Sequence, residues 1–240
     1  MLFANRISLR AILLAAGLLV SASALPAAAQ TVTEQSSATA DPNITLLSLP
    51  SATNGQTGLV SSSTYGFGTN NANTISFTGA SGIYSGTTSN VAAAPWTPTG
   101  SDTASYLSAS GNGGTATITY AQSQQSFNLL WGSVDAANTL SFYNASGTLV
   151  GTVTGTQVEP NASGAQDSTG SYYVDITNFT GGSFTKVVAS TNQPAFEFAP
   201  AVSQASPAPV NALGTTPLAA LVLAIGTALL ARRHRRNLAA

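Results

Sequence analysis

The side chains that could do chemistry are few, and where they lie excludes most of it. The one histidine, His234, sits in a basic cluster near the C-terminus with Arg232, Arg233, Arg235 and Arg236, and there is no cysteine. The rest of the chain therefore has no Ser-His-Asp or Cys-His arrangement and no imidazole or thiolate metal site. A Ser-Lys pair would need Lys186, the single basic residue between Arg10 and Arg232, which stands in an alternating, strand-like run. No G-x-S-x-G, phosphate loop or dinucleotide fingerprint occurs, and Gly111-Asn112-Gly113-Gly114 reads as a turn.

Oxygen chemistry remains. Asp135, Glu159, Asp175 and Glu197 are the carboxylates from which an acid–base pair for sugar hydrolysis could be drawn. Asp135, Asn138, Asp167 and Asp175 are candidate oxygen ligands for calcium, without EF-hand spacing. Trp96, Trp131, Tyr143, Tyr172 and Tyr173 could stack on sugar rings. Trp131 lies in the apolar run SFNLLWGSV and reads as core. Trp96, between Pro95 and Pro98, reads as a loop residue and is the better ligand candidate. With no convergent set evident, the reading is a non-enzymatic chain without an obligatory cofactor.

The elements that would position these residues are short strands. Ala116, Ile118 and Tyr120 share one face of ATITY, and Phe127, Leu129 and Trp131 share one face of SFNLLWGSV. TLSFY and TLVGTV flank Asn144-Ala145-Ser146-Gly147, a hairpin signature. SYYVDIT, FTKVVAS and AFEFA follow, rich in residues that suit a pleated, half-buried surface. Regular turn signals between such segments predict an all-β domain over 41–199, an antiparallel β-sandwich of jelly-roll-like type. Residues 30–40, rich in Ser, Thr and Ala, are expected to be disordered.

Charge is partitioned along the chain. All eight acidic residues lie between the basic ends, and only Lys186 accompanies them. An acidic middle repels phosphate backbones, which excludes nucleic acid as a partner. The low charge leaves Ser, Thr, Asn and Gln to cover the exposed strand faces, with few charged residues to guard sheet edges.

The ends carry addresses. Arg6 and Arg10, the apolar run AILLAAGLLV and a small-residue stretch form an export signal over 1–29. Ala27 and Ala29 set cleavage before Gln30, with the Sec export machinery and signal peptidase as partners. A proline- and serine-rich linker spans 200–216. The tail, 217–240, opens at Pro217 and runs apolar from Leu218 to Ala231, about 21 Å as a helix. That is short against a hydrocarbon core of about 30 Å. The arginine cluster behind it is a stop-transfer signal that leaves the domain outside the cytoplasm.

LLWGSVDAANTLSFYNASGTLVGTVTG (Leu129–Gly155), SYYVDI (Ser171–Ile176) and FTKVVASTNQPAFEF (Phe184–Phe198), with ISFTGASGIYSG and VAAAPW upstream and the tail, resemble exosortase-dependent bacterial surface proteins of the PEP-CTERM type. The resemblance implies export, a tethered intermediate in the inner membrane, processing by an exosortase-type enzyme, and a final place on the cell surface or in the exopolysaccharide matrix of a biofilm. The sequence departs from the pattern twice. Gly214-Thr215-Thr216-Pro217 stands where Pro-Glu-Pro is usual, and Phe196-Glu197-Phe198-Ala199-Pro200 where related domains often carry Phe-x-Phe-Asp-Asn. The expected function is an exported structural protein of the surface or matrix. The alternatives are a polysaccharide-binding module using Trp96 and, behind it, a secreted carboxylate-based glycoside hydrolase.

Overall fold

The computed structural model describes residues 30–50, 64–101 and 104–202. The expected signal peptide with Ala27 and Ala29, the linker beyond residue 202, and the tail with Pro217, Leu218, Ala231 and the arginine cluster lie outside the described residues.

The described residues form fourteen strands, the longer ones by alternation of apolar and polar residues. They are β1 (Thr31–Ser36), β2 (Thr64–Phe67), β3 (Asn73–Thr78), β4 (Gly82–Tyr84), β5 (Trp96–Thr97), β6 (Gly100–Ser101), β7 (Tyr106–Ser110), β8 (Thr115–Gln124), β9 (Phe127–Gly132), β10 (Thr139–Tyr143), β11 (Leu149–Thr154), β12 (Tyr172–Thr177), β13 (Phe184–Ser190) and β14 (Ala195–Pro200). Two six-stranded antiparallel sheets pack as a sandwich. Sheet 1 runs β1-β12-β9-β14-β7-β4 and sheet 2 runs β11-β10-β13-β8-β3-β2, while β5 and β6 form a separate two-stranded ribbon. Among the described residues no helix is long and apolar enough to cross a membrane.

The inward faces meet as the alternation predicts. Phe127, Leu129 and Trp131 of β9 and Phe196 and Phe198 of β14 face Ala116, Ile118 and Tyr120 of β8 and Leu140 and Phe142 of β10 in one buried cluster. Phe142 lies at its aromatic centre, with ring centroids 4.6 Å from Phe179, 5.1 Å from Phe184 and 5.7 Å from Phe127. Trp131 stacks on Phe196 at 4.6 Å and is fully buried, as expected of a core residue. The Asn144–Gly147 turn closes the β10–β11 hairpin. Asn144 Oδ1 accepts from the N–H groups of Ser146 and Thr148, and Gly147 takes a positive φ of 78°. Gly111–Gly114 also turns, but it carries the chain from β7 in sheet 1 to β8 in sheet 2.

One expectation is corrected. Part of the segment 30–40, expected to be disordered, is strand β1, paired with β12 from Thr31↔Thr177 to Ser36↔Tyr172. Its polar composition conceals two features. Val32 packs against the main core, and β12 supplies partners for its backbone groups. Gln30 adds a side-chain hydrogen bond to the Thr152 carbonyl. The sandwich therefore begins before residue 41. It also runs past 199, since Pro200 belongs to β14 and Ala201 bridges Leu46.

The outward faces differ. On sheet 1, Tyr84, Tyr106, Leu130, Tyr173 and Ala199 form a second apolar cluster with Ala92 and Ala94, and Ile44 and Leu46 pack against it. On sheet 2 the outward residues fall into cross-strand rows. Thr78, Thr115, Ser190, Thr139 and Thr154 are successive partners in one row. Thr64, Ser76, Thr117, Val188, Ser141 and Thr152 form the next. All are partly or fully exposed.

Because Phe142 touches aromatic rings from both sheets, Phe142→Ala is expected to destabilise the fold by about 3–5 kcal/mol in urea denaturation. Trp96→Ala, at a half-exposed position, is expected to cost less than half as much.

Candidate functional site

Among the described residues the most deeply buried carboxylate is Glu197. The alternation of β14 sends Phe196 and Phe198 into the core and Glu197 to the outer face of sheet 1, where it is only 3% exposed. Its neighbours across the sheet are Ser108 on β7 and Gly132 on β9. Ser133 follows Gly132 with a positive φ of 38°, rare for a residue with a side chain, and donates its hydroxyl to Glu197 Oε2. The Ala93 N–H donates to Glu197 Oε1 at 2.7 Å. Burial pushes the Glu197 pKa up, opposed by the hydrogen bonds from Ser133 and Ala93.

These contacts fasten a strap. Ala92, Ala93, Ala94 and Pro95 are all buried against the outer face of sheet 1. Gly132 allows the approach, since a Cβ there would stand 2.9 Å from Pro95. Beyond Pro95, the Trp96 N–H donates to Ser171 Oγ at 3.1 Å.

Beside the strap is a cleft of about 210 Å³, lined in part by Asn90, Ser133, Asp135, Ser163, Gln193 and Glu197. Of the four carboxylates considered for hydrolysis, the structure brings Asp135 and Glu197 to this one cleft. Glu159 and Asp175 lie elsewhere. Glu159 accepts from the Tyr172 hydroxyl at 2.6 Å and the Asn161 N–H at 2.8 Å, which hold its pKa down. Asp175 stands on β12 opposite Asn128, and burial and the nearby Asp41 charge raise its pKa. A larger cleft, about 480 Å³, is lined by Gln125, Ser126, Thr177, Asn178, Phe179, Gly182 and Ser183, with no titratable group.

The calcium candidates do not form one ligand set. Asp135 and Asn138 share a turn, in which Asp135 Oδ1 accepts from the Ala137 N–H and the Asn138 N–H donates to the Asp135 carbonyl. Asn138 is fully buried. Asp167 accepts from both the N–H and the hydroxyl of Thr169, in the loop before β12. Among the described residues, no three His, Cys, Asp or Glu side chains group in a way that could hold a metal ion. Trp96, expected in a loop, forms β5 and is half-exposed, outside the lining of the Glu197 cleft. The strap anchored by Glu197 and Ser133 was missed by sequence reasoning. Its signals are an acid between two core phenylalanines and a run of small residues, Ala92-Ala93-Ala94, able to lie flat on a sheet.

Comparison of the chain with family models, curated proteins and solved structures finds no match.

Glu197 and Asp175 have folded-state pKa values above their unfolded ones, so the stability tied to them is present at low pH and lost as pH rises through the folded values. The melting temperature is therefore expected to rise as pH is lowered through those raised values towards the ordinary carboxylate range. Glu197→Gln should flatten that slope, because the amide can accept from Ala93 and donate to Ser133 without a charge. Glu197→Ala should cost about 1–3 kcal/mol in urea denaturation, since it orphans both donors.

Proposed function

We propose that the chain is an exported, non-enzymatic structural protein of the cell surface or extracellular matrix, tethered by its C-terminal tail and processed by an exosortase-type enzyme. The observation that carries the non-enzymatic part is the state of Glu197. Both of its oxygens are engaged within the fold, Oε1 with the strap at Ala93 and Oε2 with Ser133 at the end of β9, which is what a structural carboxylate does. The export part draws on the signal-like N-terminus and the arginine-backed tail. The position of β1 is consistent with it: cleavage between Ala29 and Gln30 would leave the whole strand, and the Gln30 bond to Thr152, in the mature chain. The sandwich is read as jelly-roll-like because consecutive strands repeatedly change sheets, as at β7–β8, β9–β10 and β13–β14.

One observation favours a second reading, a carboxylate-based glycoside hydrolase: Asp135 and Glu197 reach the same cleft, and Glu197 has the raised pKa expected of a general acid. Against it, the cleft is small for a glycan that must extend to both sides of a scissile bond. Reducing-sugar release by the wild type, abolished in both Asp135→Asn and Glu197→Gln, would establish that reading in place of the first.

The leading reading is tested by intact-mass and terminal-peptide mass spectrometry of the protein from its native envelope. The expected mature chain begins at Gln30 and ends before Leu218. A chain that retains residues 1–29, or that keeps its entire tail throughout the population, would contradict it.

A further inference from the structure

We propose that the outer face of sheet 2 is a docking surface for an extended, uronate-bearing polysaccharide chain lying across the strands.

The first support is geometric. In the row from Thr78 to Thr154, adjacent strands each contribute one hydroxyl in direct register. Neighbouring strands are about 4.8 Å apart. That repeat is close to the length of one pyranose unit in an extended β-linked chain, so a glycan crossing the strands meets a hydroxyl at nearly every residue. The neighbouring row, about 6.6 Å away along the strands, repeats the pattern except at β13, which contributes Val188.

The second support is chemical. A serine or threonine hydroxyl both donates and accepts, so even where two of them bond each other, as Thr78 and Thr115 do at 2.9 Å, the pair keeps a donor and an acceptor for sugar hydroxyls. The threonine methyl groups offer apolar contact to the C–H surface of a sugar ring. The face gives little to a second copy of the domain, because its rows hold few large apolar side chains for a protein interface to bury.

The third support is charge. No strand of sheet 2 contains Asp or Glu, and its one ionised residue is Lys186, whose Nζ lies 4.6 Å from the Tyr143 ring centroid on the same face. The acids of the described domain stand on sheet 1 (Glu34, Asp175, Glu197) or in loops (Asp41, Asp135, Glu159, Asp167). A carboxylate-bearing glycan is therefore repelled by most of the molecule and accepted on this face.

The inference deepens the surface-protein reading by naming what the domain would hold. Its test needs neither export nor processing, so the two can fail separately. The full chain is run by affinity electrophoresis in gels with and without alginate. Retardation by alginate is expected for the wild type. It should weaken at least about tenfold in the triple variant Thr115→Val, Thr117→Val, Thr139→Val, which keeps β-branched shape while deleting three hydroxyls. Lys186→Glu should abolish it without touching the rows. Circular dichroism and light scattering accompany each variant. Absence of retardation in the wild type overturns the proposal, as does unchanged retardation in Lys186→Glu. Loss of a wild-type oligomer in the triple variant would assign the face to a second copy instead. Loss of retardation in Trp96→Ala with both other variants unaffected would move binding to Trp96.

Discussion

Glu197 is a carboxylate taken out of water on the outer face of a sheet, with a hydrogen-bond donor at each oxygen and, among the described residues, no cation beside it. A charge in that position is costly unless its oxygens are satisfied. The donors come from two separate segments: Ser133 from the end of β9, and Ala93 from a segment that lies over the sheet. Satisfying one side chain thus fixes the conformation of Ser133, the path of Ala92–Pro95 and the lack of a side chain at Gly132. The strap in turn brings Ala92 and Ala94 to the apolar cluster of Tyr84, Tyr106, Leu130 and Tyr173. Strands β4, β7, β9 and β14 of sheet 1 are buried on both faces and lose the polar-out alternation that sheet 2 keeps, whereas the edge strand β1 stays largely exposed.

The scarcity of charge explains why the structure relies on packing. With one lysine between Arg10 and Arg232 and no cysteine, neither an ion-pair network nor disulfides can hold the domain. Stability must come from the aromatic and aliphatic side chains between the sheets and from complete pairing of the backbone. The two faces then diverge in character. The acids and the strapping segments belong to the side of sheet 1 and to the loops, whereas sheet 2 offers water an ordered array of hydroxyls with a single cation. Such a face is wetted by hydroxyls rather than by charge.

The parts legible in the sequence were those decided locally. Alternation in ATITY and SFNLLWGSV put Ala116, Ile118 and Tyr120, and Phe127, Leu129 and Trp131, on shared faces that prove to be buried, and the Asn144–Gly147 signature located a hairpin. The parts not legible depend on distant partners. Strand β1 looks disordered because its stability lies in β12 and in the core that receives Val32. The Glu197 anchor joins residues 104 and 64 positions apart in the chain. No local pattern separates such a buried acid from a solvated one in the same alternating strand. The hydroxyl rows were visible only as a composition rich in serine and threonine, since their alignment is a property of register between strands remote in sequence.

The claim on which this account rests is that Glu197 is a fastening for the strap. Hydrogen–deuterium exchange, resolved by peptide and compared between the wild type and Glu197→Ala, tests it most directly. With the fastening removed, residues 88–96 are expected to lose protection while β8, β10 and β13 keep theirs. Unchanged protection of the strap in the variant would contradict it.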